Sequence, residues 1–220
     1  MTRPHVTLKL ATSLDGKIAT ASGESRWITG PEARAETHRL RAQAEVVMIG
    51  AGTARADDPE LTARTEPPVK RQPLRVVLNS RLDLAADGKL FATLAKAKLL
   101  IIGAEGADPA RRAALEGAGA ETALVKADAT GVDVEAALAL LSQRNVTRVL
   151  AEGGGKLAAS LIAARCVDRI EWMRAPILIG AEGAPAVAEL ALARLSEAPT
   201  WRRVALRTLG PDLWESYERA

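Results

Sequence analysis

One pattern recurs along most of this chain: a short apolar run, then a segment with helix signals. The runs are HVTLKLAT (5–12), VVMIG (46–50), LRVVLN (74–79), KLLIIG (98–103) and VTRVLA (146–151), and they end in Gly or polar residues. The first alternates, with Val6, Leu8 and Leu10 on one face. The others suit strands buried on both faces. GPEARAETHRLRAQ between the first two has Pro31 near its start, Glu32 and Glu36 early, and Arg39 and Arg41 late. Proline at the first turn and charges that oppose the helix dipole mark a helix. Further helices are expected over 107–119, 132–144 and about 154–165. This is the signature of an α/β sheet.

The C-terminal part changes style. VDRIEWMRAPILIG (167–180) reads as one long strand, and 201–218 as a hairpin around Gly210-Pro211. An antiparallel end on an α/β body implies a mixed sheet. The stretch 57–73 contains Pro59, Pro67, Pro68 and Pro73 and is expected to be a surface loop. With no composition break, the 220 residues are read as a single domain.

Composition narrows the function classes. Net charge is +3 on 57 charged residues, without a clustered basic stripe, and aromatics are 3%. Nucleic-acid binders combine such stripes with stacking rings, so no nucleic-acid partner is expected. No apolar run approaches the ~18 residues of a membrane span, and MTRPHVTLKL has no signal-peptide apolar region. The single cysteine, Cys166, forms no internal disulfide and reads as a small buried hydrophobe. A cytoplasmic location is the expectation.

VLAEGGGKL (149–157) carries the most chemistry. A P-loop needs G-x-x-x-x-G-K-[ST], but Leu150 stands where its first glycine belongs and Leu157 where its hydroxyl belongs. The G-x-G-x-x-G dinucleotide fingerprint fails as well. What remains is a strand running into Glu152, then glycines, then a helix. Free N–H groups at a helix N-terminus suit a pyrophosphate; a ligand-free strand-to-helix turn accounts for the glycines equally well. Glu152, at the end of a buried strand, needs a partner.

Two more segments stand out. ATSLDGKIATASGESRWITGP (11–31) is a polar loop with a lone Trp27, which either anchors the loop or stacks on a flat ring. IGAGTARADDPELTAR (49–64) has Gly50 and Gly52 ending a strand, the Thr53 hydroxyl, and Asp57 and Asp58 as paired carboxylates. With only His5 and His38 elsewhere, no metal site is expected, and Asp58 before Pro59 reads as a turn former. Lys9 lies between Leu8 and Leu10 and faces away from their side.

VTLKLATSLDGKIATASGESRWITGPEAR, GTARADDPELTAR and LAEGGGKLAASLI together resemble the reductase domain of the bifunctional riboflavin-biosynthesis deaminase/reductase. RVVLNSRLDL and RAPILIG match weaker stretches of that family in the same order. The resemblance implies a dihydrofolate-reductase-like α/β fold: a central, mostly parallel mixed sheet flanked by helices, with an antiparallel C-terminal hairpin. It implies NADPH as hydride donor, a small phosphorylated substrate, 5-amino-6-(5-phosphoribosylamino)uracil, and a homodimer. Ala11, Trp27, Thr53, Asp57, Ser80, Gly154, Gly155, Lys156 and Leu157 fall on cofactor positions of the family. Ser25, Arg41, Leu61, Arg64 and Glu152 fall on substrate positions, and Lys9 on a lysine near the reacting sugar. Lys9 and Glu152 are the catalytic candidates. Guanidinium forks such as Arg41 and Arg64 suit a phosphate.

Two departures from the family are Asn79, where an aspartate is expected, and Ala54-Arg55 in place of an apolar pair. Arg81, beside Ser80, is a candidate for a 2′-phosphate. The deaminase signature H-x-E…P-C-x-x-C is absent, so the chain reads as a stand-alone reductase or a piece of a longer protein. Rival readings are a reductase of the undeaminated diamino-pyrimidinone or of a pterin, and a non-catalytic nucleotide-binding module.

Overall fold

The computed structural model describes residues 3–129 and 131–220. The strands are β1 (His5–Thr12), β2 (Lys17–Ala19), β3 (Val46–Gly50), β4 (Leu74–Leu78), β5 (Leu99–Ala104), β6 (Glu121–Val125), β7 (Ala127–Asp128), β8 (Gly131–Val132), β9 (Arg148–Glu152), β10 (Arg169–Arg174), β11 (Ala184–Pro185), β12 (Trp201–Leu209) and β13 (Asp212–Arg219). The helices are α1 (Pro31–Gln43), α2 (Ala51–Asp57), α3 (Lys89–Ala92), α4 (Pro109–Gly117), α5 (Val134–Gln143) and α6 (Gly155–Ala163), with a 3₁₀ turn at Leu195–Glu197. Pairing is mostly parallel, and the architecture is the α/β, dihydrofolate-reductase-like class expected.

The chain divides into two compact units. The first is His38–Leu150 with the N-terminal residues up to His5; the second is Val6–Thr37 with Ala151–Ala220. In the first unit, β3, β4, β5 and β6 pair in that order, all parallel, with Val46 opposite Leu74 and Val76 opposite Leu100. Val47, Ile49, Val77 and Ile101 form its core with Leu61, Phe91, Leu115 and Leu150. Burying each such side chain contributes roughly 1.5–3 kcal/mol. Asp133 caps α5 by accepting from Glu135 N at 2.8 Å and Ala136 N at 3.1 Å, which fixes where that helix begins.

In the second unit, β1 pairs parallel with β10, β10 antiparallel with β13, and β13 antiparallel with β12. The hairpin around Gly210-Pro211 is therefore as expected, and Gly210 takes the left-handed backbone (φ 61°) that tight turns assign to glycine. The strand expected over 167–180 is shorter and ends at Arg174. Ala175 N still donates to Thr12 O at 2.8 Å, but Pro176 has no N–H to continue the ladder. Beyond it the chain is drawn onto the turn after β1: Leu14 N donates to Ile177 O at 2.7 Å.

Gly50 and Gly52 do not simply end a strand. Gly50 caps α2, which starts at once, and Asp58 closes that helix in a left-handed conformation (φ 41°). Residues 58–73 are irregular, as expected. Cys166 is buried, forms no disulfide, and its Sγ donates to Ala164 O at 3.4 Å.

Candidate functional site

Glu152, in the second unit, is the last residue of β9 and only 8% exposed. Gly153 follows with φ 144°, a backbone that side chains resist. Gly154 is the N-cap of α6 in an extended conformation, and no side chain caps the helix. The first turn of α6 thus lacks a side-chain cap, as anion sites at helix N-termini commonly do. Gly155 has a separate reason to be glycine: a Cβ there would lie 2.5 Å from Pro185 O and 2.9 Å from Ala188 N. That packing against residues 185–188 is structural, so the anion reading rests on Gly153 and Gly154. Lys156 is exposed and Leu157 buried, which leaves Leu157 only its main chain for a ligand.

Lys9 and Ala11 sit on β1, half-buried, with Lys9 beside Glu171 and Ala11 beside Met173 of β10. Lys9 therefore does lie on the opposite face from Leu8 and Leu10. The buried Glu171 carboxylate accepts from Trp214 Nε1 at 2.6 Å, from Ser216 Oγ at 2.5 Å and from Arg169 Nε. Ser25 is half-buried in the loop before α1, and Trp27 is 68% exposed. Such exposure removes the loop-anchor reading of Trp27. The Arg34 guanidinium stands 4.7 Å from its ring centroid.

The turn after β1 holds a carboxylate that the sequence reading passed over. Asp15 accepts from Ser13 Oγ at 2.6 Å, Gly180 N at 2.8 Å and Ile179 N at 3.2 Å. These bonds, the Ser13 hydroxyl foremost, lower its pKa to about 2. The Asp15-Gly16 dipeptide is a turn signal that identifies this site in sequence.

In the first unit, Arg41, Leu61 and Arg64 meet along one stretch. Arg41 Nη1 donates to Thr62 O at 3.2 Å, and Arg64 N donates to His38 Nδ1 at 3.3 Å. Leu61 takes a left-handed backbone (φ 57°), and its side chain belongs to the core, so any ligand contact it makes is through the main chain. The exposed Arg64 side chain lies 3.8 Å from Glu60. Thr53 and Asp57 are on α2, half-buried.

Ser80 follows β4, and around it lies a charged cluster. Asp83 accepts from Asn79 Nδ2 at 2.8 Å, from Arg81 Nε at 3.0 Å and from Arg55 Nη2. The Asn79 amide, first, and then the two arginines hold its carboxyl below the ordinary range. Asn79 also accepts from Leu84 N at 2.9 Å, so its amide uses a donor that an aspartate lacks. Arg55 is thereby placed in an ion pair. No group of three or more His, Cys, Asp or Glu side chains suited to a metal ion occurs among the described residues, and no helix there is long and apolar enough to cross a membrane.

A dihydrofolate-reductase-like sheet, with a glycine-led helix after a buried acid, defines the class of α/β domain. Within that class the chain belongs to the RibD C-terminal domain family, whose model matches residues 4–214. A riboflavin biosynthesis protein RibD of Bacillus amyloliquefaciens is 33% identical over 211 residues, which is 96% of this chain and 56% of that protein. A RibD structure from Acinetobacter baumannii aligns with a TM-score of 0.85 and 25% identity, covering 99% of this chain and 58% of that one. A Thermotoga maritima structure described as a diaminohydroxyphosphoribosylaminopyrimidine deaminase/5-amino-6-(5-phosphoribosylamino)uracil reductase aligns with a TM-score of 0.80 and 28% identity, covering 99% and 57%. The chain spans a little over half the length of these relatives.

Proposed function

We propose that this chain catalyses the NADPH-dependent reduction of the ribosyl group of 5-amino-6-(5-phosphoribosylamino)uracil to the ribitylamino product. The observation that carries the reading is the end of β9: a buried Glu152, then glycines that open an uncapped helix N-terminus. Family membership and the activity in the Thermotoga maritima protein's description support it.

The residues present fit a dinucleotide. N–H groups at the start of α6 hold the pyrophosphate, with Ala11, Trp27, Thr53, Asp57, Ser80, Lys156 and Leu157 as its other contacts. Two arginines on the Asp83 carboxylate leave an excess positive charge beside Ser80, which favours the 2′-phosphate of NADPH. When bound, NADPH would supply a hydride to the sugar C1′, whose bond to the ring oxygen opens as that oxygen becomes a hydroxyl. Arg41 and Arg64 grip the substrate phosphate, while Ser25 and Leu61 line its path. Glu152 orients the ribosyl hydroxyls. Lys9 delivers the proton to the atom beside C1′. These roles are positioning and charge placement. On the same reading residues 1–220 act as one reductase domain, as a cytoplasmic homodimer.

The test is a steady-state assay that follows NADPH absorbance with the phosphoribosylamino-uracil, its undeaminated analogue and a pterin, each also with NADH. Turnover highest with NADPH and the uracil supports the proposal. Faster turnover on either other substrate reassigns the reaction, and dinucleotide binding without oxidation makes the chain a binding module. Glu152→Gln and Lys9→Ala are each expected to lower kcat by at least tenfold; wild-type turnover in both sinks their roles.

A further inference from the structure

Large aromatic rings in soluble domains are mostly covered, yet Trp27 is 68% exposed. The indole is nevertheless held. Arg34 lies over it with the guanidinium carbon 4.7 Å from the ring centroid, and Arg26 stands at 6.0 Å. Arg34 is itself fixed: its Nη1 donates to Thr29 O at 2.7 Å, and its backbone N donates to Gly30 O at 3.2 Å. Gly30 N in turn donates at 2.6 Å to Asp212 Oδ2, a carboxylate buried at the first position of β13. A continuous tie thus runs from a sheet strand through Gly30 and Arg34 to an exposed ring.

We propose that Arg34 is a positioning residue that holds Trp27 as a preformed stacking platform for a planar heteroaromatic ring of the bound dinucleotide. The inference rests on the proposed function for the identity of the ligand. Three physical points support it. A guanidinium over one part of an indole fixes the ring by cation–π attraction while most of the ring stays open. A side chain ordered before binding loses less freedom when the ligand arrives. The hydrogen bond to Thr29 O orients the guanidinium, so the arrangement is specific to arginine. Arg34 acts through Trp27 and touches no reacting atom.

The difference in fluorescence between the wild type and Trp27→Phe isolates the Trp27 signal. Acrylamide quenching of that signal is measured with no ligand and with NADPH, NADP⁺, 2′,5′-ADP or the pyrimidine substrate alone. NADPH is expected to shield Trp27. Shielding by 2′,5′-ADP as well identifies adenine as the stacked ring, and shielding only by the full dinucleotides identifies nicotinamide. Shielding by the pyrimidine alone overturns the proposal. Arg34→Ala is expected to increase quenching of free Trp27 and to raise the NADPH Kd about fivefold, as loss of one cation–π contact implies. Arg34→Lys, which keeps the charge, recovers part of this, and Arg34→Gln, which removes it, recovers none. The KM for NADPH rises while kcat and the KM for the pyrimidine hold.

The Trp27→Ala background decides whether Arg34 works through the ring. If Arg34→Ala weakens NADPH binding there by the same factor, or leaves the Kd unchanged in the wild type, the proposal fails. NADPH shielding of Trp27 without any substrate reduction sinks the proposed function and leaves this inference standing. Substrate reduction with Trp27 equally quenched in bound and free protein does the reverse.

Discussion

Glu171 and Trp214 meet inside the second unit through a 2.6 Å hydrogen bond from the indole Nε1 to Oε2. The same oxygen accepts from Ser216 Oγ at 2.5 Å, and the other from Arg169 Nε. The Glu171 side chain is only 3% exposed, so each donor depends on this one carboxylate. Breaking a buried pair by removing one partner costs about 3–5 kcal/mol. Glu171→Ala is therefore expected to lower Tm by roughly 6–20 °C in a domain of this size, and Ser216→Ala by only about 2–4 °C for its single bond of about 1 kcal/mol. Calorimetric melting of both variants checks the ranking. An equal loss in the two contradicts it.

Arg75 is the comparable centre of the first unit. It is fully buried, and its guanidinium donates to Thr93 Oγ1 at 2.7 Å, Glu60 O at 3.2 Å, Thr93 O at 3.4 Å and Ala97 O. These acceptors lie at the C-cap of α3, in the turn after it and in the 58–73 loop, so one side chain closes several chain ends. Burial lowers its pKa to about 10, which still leaves it charged at neutral pH. Arg75→Met keeps the volume but strands the carbonyls, at about 1–3 kcal/mol each. The expected result in urea unfolding is a fall of at least 3 kcal/mol, with Arg75→Lys intermediate. A loss below 1 kcal/mol in the Met variant refutes it.

Asp15 couples the turn after β1 to residues 179–180. Its folded pKa, about 2, lies below the ordinary value of 3.8. A lowered carboxyl stabilises the fold above the unfolded pKa and loses that contribution as pH falls through the folded one. The clamp is thus intact above pH ~4 and released near pH 2. Amide exchange at Gly180 and Ile179, expressed as protection factors, is expected to fall over that window in the wild type and to stay low throughout in Asp15→Asn. PH-independent protection in the wild type rules the clamp out.

Two glycines give opposite expectations. An added Cβ at Gly155 meets the backbone of Pro185 and Ala188, whereas one at Gly52 meets nothing within 4 Å. Gly155→Ala forces backbone shifts and is expected to destabilise by about 1–3 kcal/mol. Gly52→Ala, inside α2 and without positive φ, is expected to stabilise by about 0.5–1 kcal/mol. Thermal melts of the pair decide both. A stable Gly155→Ala with weakened NADPH binding assigns that glycine to the ligand instead.

These contacts also show how far the sequence was readable. VVMIG coincides with β3, HVTLKLAT with β1, and the C-terminal hairpin falls within a residue of its expected span, because apolar runs and a Gly-Pro turn are local signals. β6 escaped notice because ETALV follows a small-residue stretch and is only partly apolar. α2 is only about two turns long, and Gly50 and Gly52 hide the helix behind the look of a loop. APILIG looks like strand but packs on Asp15, a tertiary preference that no local pattern reveals. At the candidate site, the residue types were visible in sequence. The packing at Gly155, the bracing of Trp27 by Arg34 and the pairing of Arg55 with Asp83 each depend on residues 28 to 33 places away or on a rotamer, and so were not.

The pairing of β1 with β10 has a bearing on how the protein is made. Thr7 aligns with Arg169, so β1 leaves the ribosome long before its neighbour exists. The first unit ends at Leu150, and at roughly 5–20 residues per second its strands are made well before β10. For about ten to thirty seconds of synthesis, β1 has no β10 to pair with, and its alternating Val6, Leu8 and Leu10 stay available to other chains. Order of translation therefore leaves β1 as an aggregation hazard until β10 emerges.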